Sequence, residues 1–224
     1  MWGKPMFIAI LPAYNEEKMI GSVVRSLFGY VDEIVVVDDG SRDQTAILAE
    51  EAGATVLVHK INRGQGAALE TGHEYARRVG ADFVVHFDAD GQFHVEDILP
   101  ALSHLQENNA EVLFGSRFLQ QQVSVPFVKK NIVLPIAKLI NTLFIGMYLS
   151  DVHNGFRILT KRALEAISIT QDRMAHATEI PAQVKKKKLP FVEFPVQVSY
   201  HEYGQGSAAG FIIIRDLVVG KFVK

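Results

Sequence analysis

The first half of the chain alternates short, mainly apolar runs with longer segments in which apolar residues recur at helical spacing. The apolar runs, each a predicted β-strand, are Phe7–Leu11, Glu33–Val37, Thr55–Val58, Asp82–Phe87 and Glu111–Gly115. The segments between them are predicted helices, the first of which has its apolar positions between Met19 and Leu27. This alternation is typical of a mostly parallel sheet with helices on both faces, the α/β class.

Beyond Arg117 the alternation becomes irregular. The pattern predicts an amphipathic helix at Val133–Met147, two further helices, and strands at Val152–Leu159 and Val192–Ser199. No linker rich in Ser, Gly or Pro separates this part from the first, so we expect one domain over residues 1–210. The apolar tail over residues 211–224 is too short to span a bilayer, and it is predicted to be a membrane-docking helix or the start of a longer membrane segment.

Composition narrows the function classes. The 224 residues are 48% hydrophobic and 21% charged, which indicates a globular protein with a sizeable core and excludes a disordered chain. The formal net charge of −2 argues against a nucleic-acid partner. The sequence has no cysteine, which excludes a disulfide framework, a thiolate zinc site and a cysteine nucleophile. Because this fits a reducing compartment, we expect a cytoplasmic protein.

The strongest chemical signal is the run Asp88-Ala89-Asp90-Gly91-Gln92, directly after a predicted buried strand. Asp88 and Asp90 are separated by one residue at the strand end, where both carboxylates can face one divalent cation. Oxygen ligands of this kind suit Mg²⁺ or Mn²⁺, which typically bridge protein carboxylates and a substrate diphosphate. The alternative is an acidic turn before the next helix, a common place for Asp and Gly.

Two further polar clusters follow the first two strands. In Asp38–Ser41 a carboxylate can accept hydrogen bonds from a base or a ribose. In Pro12–Glu17, Tyr14 can stack on a base and Glu16 can hydrogen-bond to it. Each cluster alone is also explained as the start of a helix. Because ligands bind at the carboxyl ends of parallel strands, three clusters at three strand ends favour a nucleotide pocket completed by a metal.

These clusters, with others, resemble in order and spacing the motifs of family-two glycosyltransferases, and those of their dolichol-phosphate mannosyltransferase-like (polyprenyl-phosphate glycosyltransferase) branch in particular. The motifs are Pro12–Glu17, Asp38–Ser41, Gly64–Ala68, Asp88–Gln92, Gly115–Arg117, Asp151 and Asn154–Arg157. The resemblance covers about Phe7 to Ser207. It implies a GT-A fold, a UDP- or GDP-linked sugar donor, Mg²⁺ or Mn²⁺, and inversion at the anomeric carbon. Residues 1–118 would form the nucleotide-binding half of the catalytic domain and residues 119–210 its acceptor half.

The resemblance also assigns roles to individual residues. Those assigned to the nucleotide sugar are Pro12, Tyr14, Glu16, Val37, Asp39, Asp88 and Ala89. Those assigned to the metal are Asp88, Asp90 and Gln92. Arg117 matches a basic position that faces the phosphate region, where a planar guanidinium suits bidentate recognition of a phosphate. The alternative for Arg117 is a surface arginine at a strand end.

The acceptor determines whether the reaction needs a base. A polyprenyl phosphate is ionised near neutral pH and needs little help from one; its candidate contacts are Arg117, Lys130 and His201. A sugar hydroxyl of a glycan needs a general base, for which Asp151 is the candidate. Asp151 is otherwise a turn carboxylate. Arg117 and Asp151 are thus the candidate catalytic residues, and both acceptor classes remain open.

Two departures from the branch pattern bear on the substrates. The branch commonly has an Arg and a Lys in a late motif, but the matching stretch Tyr200–Ala208 has neither, and His201 is the candidate replacement for the arginine. The identity of the sugar is therefore left open. Trp2 is the only tryptophan, so the Gln-x-x-Arg-Trp signature of processive polysaccharide synthases is absent. A single transfer is favoured over polymerisation.

Basic residues beside an apolar segment indicate contact with a membrane surface. Lys129 and Lys130 directly precede the predicted helix Val133–Met147, whose apolar face can enter the headgroup region and admit a lipid acceptor. The same face could instead belong to the core. We expect peripheral attachment to the inner face of the cell membrane.

Three other classes fit the sequence less well. A sugar nucleotidyltransferase would have a phosphate loop rich in Gly and Arg where Pro12–Glu17 stands. A Rossmann oxidoreductase would have a three-glycine motif directly after the first strand. Gly64-x-Gly66 lacks the third glycine and follows the third strand instead. A non-catalytic sugar-nucleotide binding module would not need Asp151 or both metal-site aspartates, and all of these are present.

Overall fold

The computed structural model describes residues 4–119 and 147–199. In these ranges the strands are β1 (Phe7–Ala13), β2 (Glu33–Asp38), β3 (Thr55–Val58), β4 (Phe83–His86), β5 (Val112–Ser116), β6 (Arg157–Thr160) and β7 (Phe191–Pro195). The helices are α1 (Ile20–Leu27), α2 (Thr45–Glu51), α3 (Gln65–Val79), α4 (Ile98–Glu107, after a 3-10 turn at Val95–Asp97), α5 (Lys161–Ala166) and α6 (His176–Lys186). The five strands predicted in the first half are confirmed to within two residues at each end.

All the described strands belong to one sheet, in the order β3-β2-β1-β4-β6-β5-β7. Neighbouring strands are parallel except where β6 pairs antiparallel with β4 and β5. The predicted mostly parallel α/β sheet is therefore confirmed. Because β6 runs in the opposite direction, the turn that leads into it lies at the edge where β1, β2, β4 and β5 end. This reversal brings residues from the second half of the chain to the carboxyl edge of the sheet.

Alternate side chains of β1 enter two separate cores, one on each face of the sheet. Phe7, Ala9 and Leu11 pack with apolar residues of α1, α2 and α4. Ile8 and Ile10 pack with apolar residues of α3, α5 and α6. Helices thus cover both faces as predicted. A strand buried on both faces must be apolar at every position, which is why these strands form continuous apolar runs in the sequence.

Two strands of the second half are shorter than predicted. β6 begins only at Arg157, because the residues before it form a turn in which Asn154 Oδ1 accepts a hydrogen bond from the Phe156 amide at 2.9 Å. β7 already ends at Pro195: the Val196 amide makes the last bond to β5, to the Ser116 carbonyl at 3.1 Å, and the Gln197 amide donates instead to Asp97 Oδ2 at 2.7 Å. Both changes lengthen the loops at the carboxyl edge of the sheet.

Several predicted features lie outside the described residues. They are Lys129, Lys130, the predicted helix Val133–Met147 except for its last residue, His201 and the tail over residues 211–224. Among residues 4–119 and 147–199, no helix combines the length and the apolar character needed to cross a bilayer.

Candidate active site

The loops that follow β1 and β2 are tied together at the carboxyl edge of the sheet. The Asn15 amide donates to Ser41 Oγ at 2.9 Å, and Asn15 Oδ1 accepts from the Arg42 amide at 2.9 Å. Below this loop pair, Pro12 and Val37 are partners in the β1–β2 register, and the Val37 side chain is fully buried. The motifs Pro12–Glu17 and Asp38–Ser41 therefore form one continuous wall at this edge of the sheet.

This wall presents two of the residues predicted to contact the base. Tyr14 is exposed to 42%, so its ring is open to a stacking partner. Glu16 is half-buried. Burial raises the pKa of Glu16, and the negative charges of Asp90 and Asp43 raise it further. Glu16 therefore interacts electrostatically with Asp90, one of the predicted metal ligands.

Asp39 is buried, and both of its carboxylate oxygens are bonded to its own chain. Oδ1 accepts from the Arg63 amide at 2.9 Å and from His59 Nδ1 at 2.7 Å. Oδ2 accepts from the Gly64 amide at 2.6 Å. Gly64 has φ +106°, which only glycine adopts readily. Asp39 thus fixes the loop that leads into α3, and its contact with a nucleotide stays a prediction.

Asp88 and Asp90 lie just beyond the end of β4. Asp88 Oδ1 accepts from Gln65 Nε2 at 3.1 Å. On the other side Gly155 packs so closely that a Cβ built on it would lie 2.5 Å from Asp88 Oδ2. Asp90 Oδ1 accepts from the Gln92 amide at 3.0 Å. Burial, and after it the charge of Asp90, raise the pKa of Asp88 to about 7.

The chemistry of these side chains fits a divalent cation. The charge of Asp90 raises the pKa of both Asp88 and Glu16, so three acids repel one another at this edge. A divalent cation would relieve this repulsion, since a nearby positive charge favours the ionised form of a carboxylate. Within the described ranges, no three His, Cys, Asp or Glu side chains form a ready-made metal cluster. Two carboxylates plus substrate phosphates are a common way to bind Mg²⁺, and Gln92 offers a further oxygen.

Arg117, directly after β5, forms a bidentate ion pair with Asp151. Its Nε donates to Oδ2 at 2.7 Å and its Nη2 to Oδ1 at 2.9 Å, and its main-chain amide donates to Oδ2 at 3.1 Å. The Asp151 side chain is 3% exposed and that of Arg117 is 29% exposed. The structure therefore brings the two candidate catalytic residues together, and it engages both oxygens of the candidate base.

A buried cation, to which the sequence analysis gave no role, lies behind both carboxylate sites. Arg157, the first residue of β6, is 1% exposed. Its Nη2 donates to the Val152 carbonyl at 3.4 Å, and its Nε has no hydrogen-bond partner among the described residues. Burial lowers the pKa of Arg157 to about 10, whereas the charges of Asp88 and Asp151 act to raise it. The positive charge of Arg157 thus interacts with both carboxylates, Asp88 and Asp151.

The histidines around Arg157 are held neutral. Burial lowers the pKa of His176 to about 4, and it also lowers the pKa values of His86 and His153. The charge of Arg157 lowers all three further. His73 on α3 contacts His86 at 2.7 Å between the Nε2 atoms, and burial lowers its pKa to about 3. Arg157 is therefore the cation of an otherwise neutral buried cluster.

Three residues of this site were missed by the sequence analysis as functional residues: Gln65, Gly155 and Arg157. All three belong to motifs already identified by their order and spacing, but no role was predicted for them. The missing information is the antiparallel β4–β6 register, which pairs Arg157 with His86 and brings Gly155 against Asp88. Apolar periodicity predicts that a strand exists but not which strand it pairs with. Of the predicted site residues, Lys130 and His201 lie outside the described ranges.

Among the described strands only β6 is reversed, and an acidic pair and an arginine lie at the carboxyl edge of the sheet, an arrangement that suits a phosphorylated ligand. The chain matches the family model described as Glycosyl transferase family 2 over residues 8–168, and it belongs to this family. The predicted enzyme class, a glycosyltransferase that uses a nucleotide-sugar donor, is thereby confirmed.

Relatives and solved structures agree with this class. The chain is 33% identical to the UDP-N-acetylglucosamine–dolichyl-phosphate N-acetylglucosaminyltransferase of Methanococcus voltae, over 96% of this chain and 96% of the relative. It is 28% identical to the polyprenol monophosphomannose synthase of Mycolicibacterium smegmatis, over 91% of this chain and 81% of that protein. These names confirm the predicted branch of the family.

The fold is similar to a crystal structure of glucosyl-3-phosphoglycerate synthase from Mycobacterium tuberculosis in complex with Mn²⁺, UDP and glucosyl-3-phosphoglycerate. The TM-score is 0.66 at 20% identity, over 92% of this chain and 75% of that chain. This likeness confirms the predicted GT-A fold.

Proposed function

We propose that this protein transfers one sugar, with inversion at the anomeric carbon, from a UDP- or GDP-linked donor to a polyprenyl phosphate. The reaction would depend on Mg²⁺ or Mn²⁺ and take place at the inner face of the cell membrane. The Methanococcus voltae relative supports both substrate classes, because it is named for a UDP-linked donor and a dolichyl-phosphate acceptor and matches 96% of this chain. Its name makes UDP the first nucleotide to test.

The observation that carries the acceptor assignment is the engagement of Asp151 by Arg117. A hydroxyl acceptor needs a base with a lone pair directed at its proton. Here both carboxylate oxygens accept charge-assisted hydrogen bonds from the Arg117 side chain, at 2.7 and 2.9 Å, and the Asp151 side chain is only 3% exposed, so little of the carboxylate is open to a hydroxyl acceptor. A phosphate acceptor needs no such base, since its second pKa is about 6 and it is largely ionised at neutral pH. The ion pair therefore favours the lipid phosphate over the glycan hydroxyl.

In this proposal the residues of the described ranges divide into two groups. On the donor side, Pro12, Tyr14, Glu16, Val37 and Asp39 would contact the nucleotide and Ala89 the diphosphate. Asp88, Asp90 and Gln92 would hold the ion, which when bound neutralises charge on the departing nucleoside diphosphate.

On the acceptor side, the guanidinium of Arg117, fixed in its plane by Asp151, would orient the acceptor phosphate. Residues 1–118 would thus bind the donor, apart from Arg117 at their end, and residues 119–210 would receive the acceptor, with Lys130 and His201 as further acceptor contacts.

Membrane contact is supported by the sequence alone. Lys129 and Lys130 beside the apolar Val133–Met147, and the apolar tail over residues 211–224, are typical of a protein that binds the surface of an anionic membrane. Flotation with vesicles of anionic lipid would test this part separately: we expect binding that weakens with salt, and no binding would contradict it.

The donor and the acceptor are tested in two steps. Thermal shift with UDP and GDP, each with and without Mn²⁺, should give stabilisation that requires the metal. Absence of metal-dependent stabilisation by either nucleotide would contradict the donor site. Radiolabelled UDP-sugars should then label a polyprenyl-phosphate fraction. Label found only in water-soluble glycans would instead support the hydroxyl acceptor with Asp151 as base.

A further inference from the structure

The carboxylate of Asp88 is held from one side by the first residue of α3. Gln65 Nε2 donates to Asp88 Oδ1 at 3.1 Å. The position of Gln65 is itself fixed, because the amide of the preceding Gly64 donates to Asp39 Oδ2 at 2.6 Å. Asp39 and Asp88 are thus linked through the adjacent residues Gly64 and Gln65, each of which donates a hydrogen bond to one of the two carboxylates.

On the other side, Asp88 packs against Gly155, whose backbone conformation does not itself require a glycine. Gly155 is not among the glycines with positive φ, so its backbone conformation is open to alanine. What requires a glycine there is space: a Cβ built on Gly155 would lie 2.5 Å from Asp88 Oδ2 and 3.0 Å from its Cγ. Such distances force one of the two groups to move. The main chain at Gly155 is set by the turn into β6, so the side chain of Asp88 is the group that would give way.

We propose that Gln65 and Gly155 are positioning residues that set the orientation of the Asp88 carboxylate for the metal and the donor diphosphate. This inference rests on the proposed function, in which Asp88 holds the ion. The hydrogen bond fixes one oxygen and the contact with Gly155 limits rotation of the other. Residues that orient metal ligands in this way typically change metal affinity by about 10- to 100-fold when they are replaced.

Two variants test the proposal independently. Gln65→Met removes the donor and keeps the length of the side chain, and Gly155→Ala adds the single methyl group that meets Asp88. Gly21→Ala is the matched glycine control, because its Cβ would meet only the flexible end of Arg25, at 3.3 Å. The readout is the binding of UDP by isothermal titration calorimetry, with and without Mn²⁺, together with the melting temperature of each variant.

Each of the two test variants is expected to bind UDP in the presence of Mn²⁺ about 10- to 100-fold more weakly than the wild type. Binding of UDP without Mn²⁺ is expected to be unchanged, a pattern that a general loss of structure would not produce. The double variant is expected to lose less than the product of the two single losses, since both release the same carboxylate. Gly21→Ala is expected to match the wild type.

The outcomes separate this inference from the proposed function. If the wild type itself shows no Mn²⁺-dependent binding of UDP or GDP, the metal site fails and the positioning role fails with it. If the wild type binds and both variants bind within 2-fold of it, the proposed function stands and the positioning role is refuted. Should Gly155→Ala not fold, Gln65→Met decides by itself.

Discussion

Arg157 lies opposite His86 in the antiparallel β4–β6 pair, and both side chains are buried, one as a cation and the other as a neutral imidazole. An isolated buried charge costs several kcal/mol unless it is paired and hydrogen-bonded. Arg157 interacts with Asp88 and Asp151, but no ion pair under 4 Å joins it to either carboxylate in the described part of the chain. If the site binds an anionic donor and acceptor as proposed, we expect this cation to favour their binding at the expense of stability.

Replacement of Arg157 should therefore separate stability from binding. In Arg157→Met an apolar side chain of similar length fills the space and removes the cost of burying the guanidinium. Because no ion pair under 4 Å is broken in the described part of the chain, we expect the free energy of unfolding to be unchanged or higher. Binding of UDP with Mn²⁺ should weaken by about 10-fold, because the negative charges of the site lose their compensation. Urea unfolding and calorimetry measure the two effects.

Arg77 provides the control for this prediction. Its guanidinium donates to the carbonyls of Leu164 at 2.9 Å and Ile167 at 2.7 Å, and to Glu70 at 2.9 Å, so its role is to join α3 to the segment around α5. Arg77→Met should lower stability and leave UDP binding unchanged. The same result for Arg157→Met would mean that Arg157 is structural.

The buried neutral histidines predict a loss of stability in acid. The pKa of His176 is about 4 in the folded protein and close to 6.5 when unfolded, so the unfolded state binds more protons between these values. The contribution of this residue is complete above pH 6.5 and is lost as the pH falls toward 4. The loss amounts to about 2 kcal/mol between pH 7 and 5 for one such group.

His176→Asn should reduce this acid sensitivity. The asparagine amide can replace Nδ1 as donor to the Arg173 carbonyl, a bond of 2.7 Å in the wild type, without taking up a proton. We expect the difference in unfolding free energy between pH 7 and pH 5 to be about 2 kcal/mol smaller in the variant. Urea unfolding at the two pH values measures it, and an equal difference in both proteins would contradict the prediction.

Asp90 provides the test of the metal site. Removal of its charge lowers the repulsion that raises the pKa of Asp88 and Glu16, so Asp90→Ala should fold and melt at an equal or higher temperature without metal. Stabilisation by UDP with Mn²⁺ and metal-dependent turnover should both disappear, as they should when EDTA is added to the wild type. Retained metal-dependent activity would mean that the ligand set is wrong.

The strands of the first half could be predicted from the sequence because their burial on both faces requires a continuous apolar run, which is a local feature of the sequence. Each residue of β1 from Phe7 to Leu11 is buried, and this run is visible without knowledge of any partner strand. The turn before β6 has no such local pattern. Its carboxylate and its glycine acquire their roles only through contacts with residues far away in the chain.

Asp151 illustrates the limit for the site. A carboxylate near a motif of this family is a natural candidate for a base, and the sequence analysis named it as one. Its partner Arg117 lies 34 residues earlier in the chain, and the two meet because β6 reverses beside β5. The position of a residue at a strand end could be predicted from the sequence, whereas the pairing of two distant residues required the sheet order.

The Arg117–Asp151 pair yields the prediction that separates the two acceptor classes. Arg117→Lys keeps the charge but loses the planar fork, and we expect kcat/KM for a polyprenyl phosphate to fall about 10- to 100-fold while UDP binding is unchanged. In Asp151→Asn the kcat/KM should fall by a similar factor, because the variant weakens the group that orients Arg117. Its pH–rate profile should keep the shape of the wild type. Were Asp151 the base, Asp151→Asn would instead cost up to about 10⁴-fold and remove the acid limb of the profile.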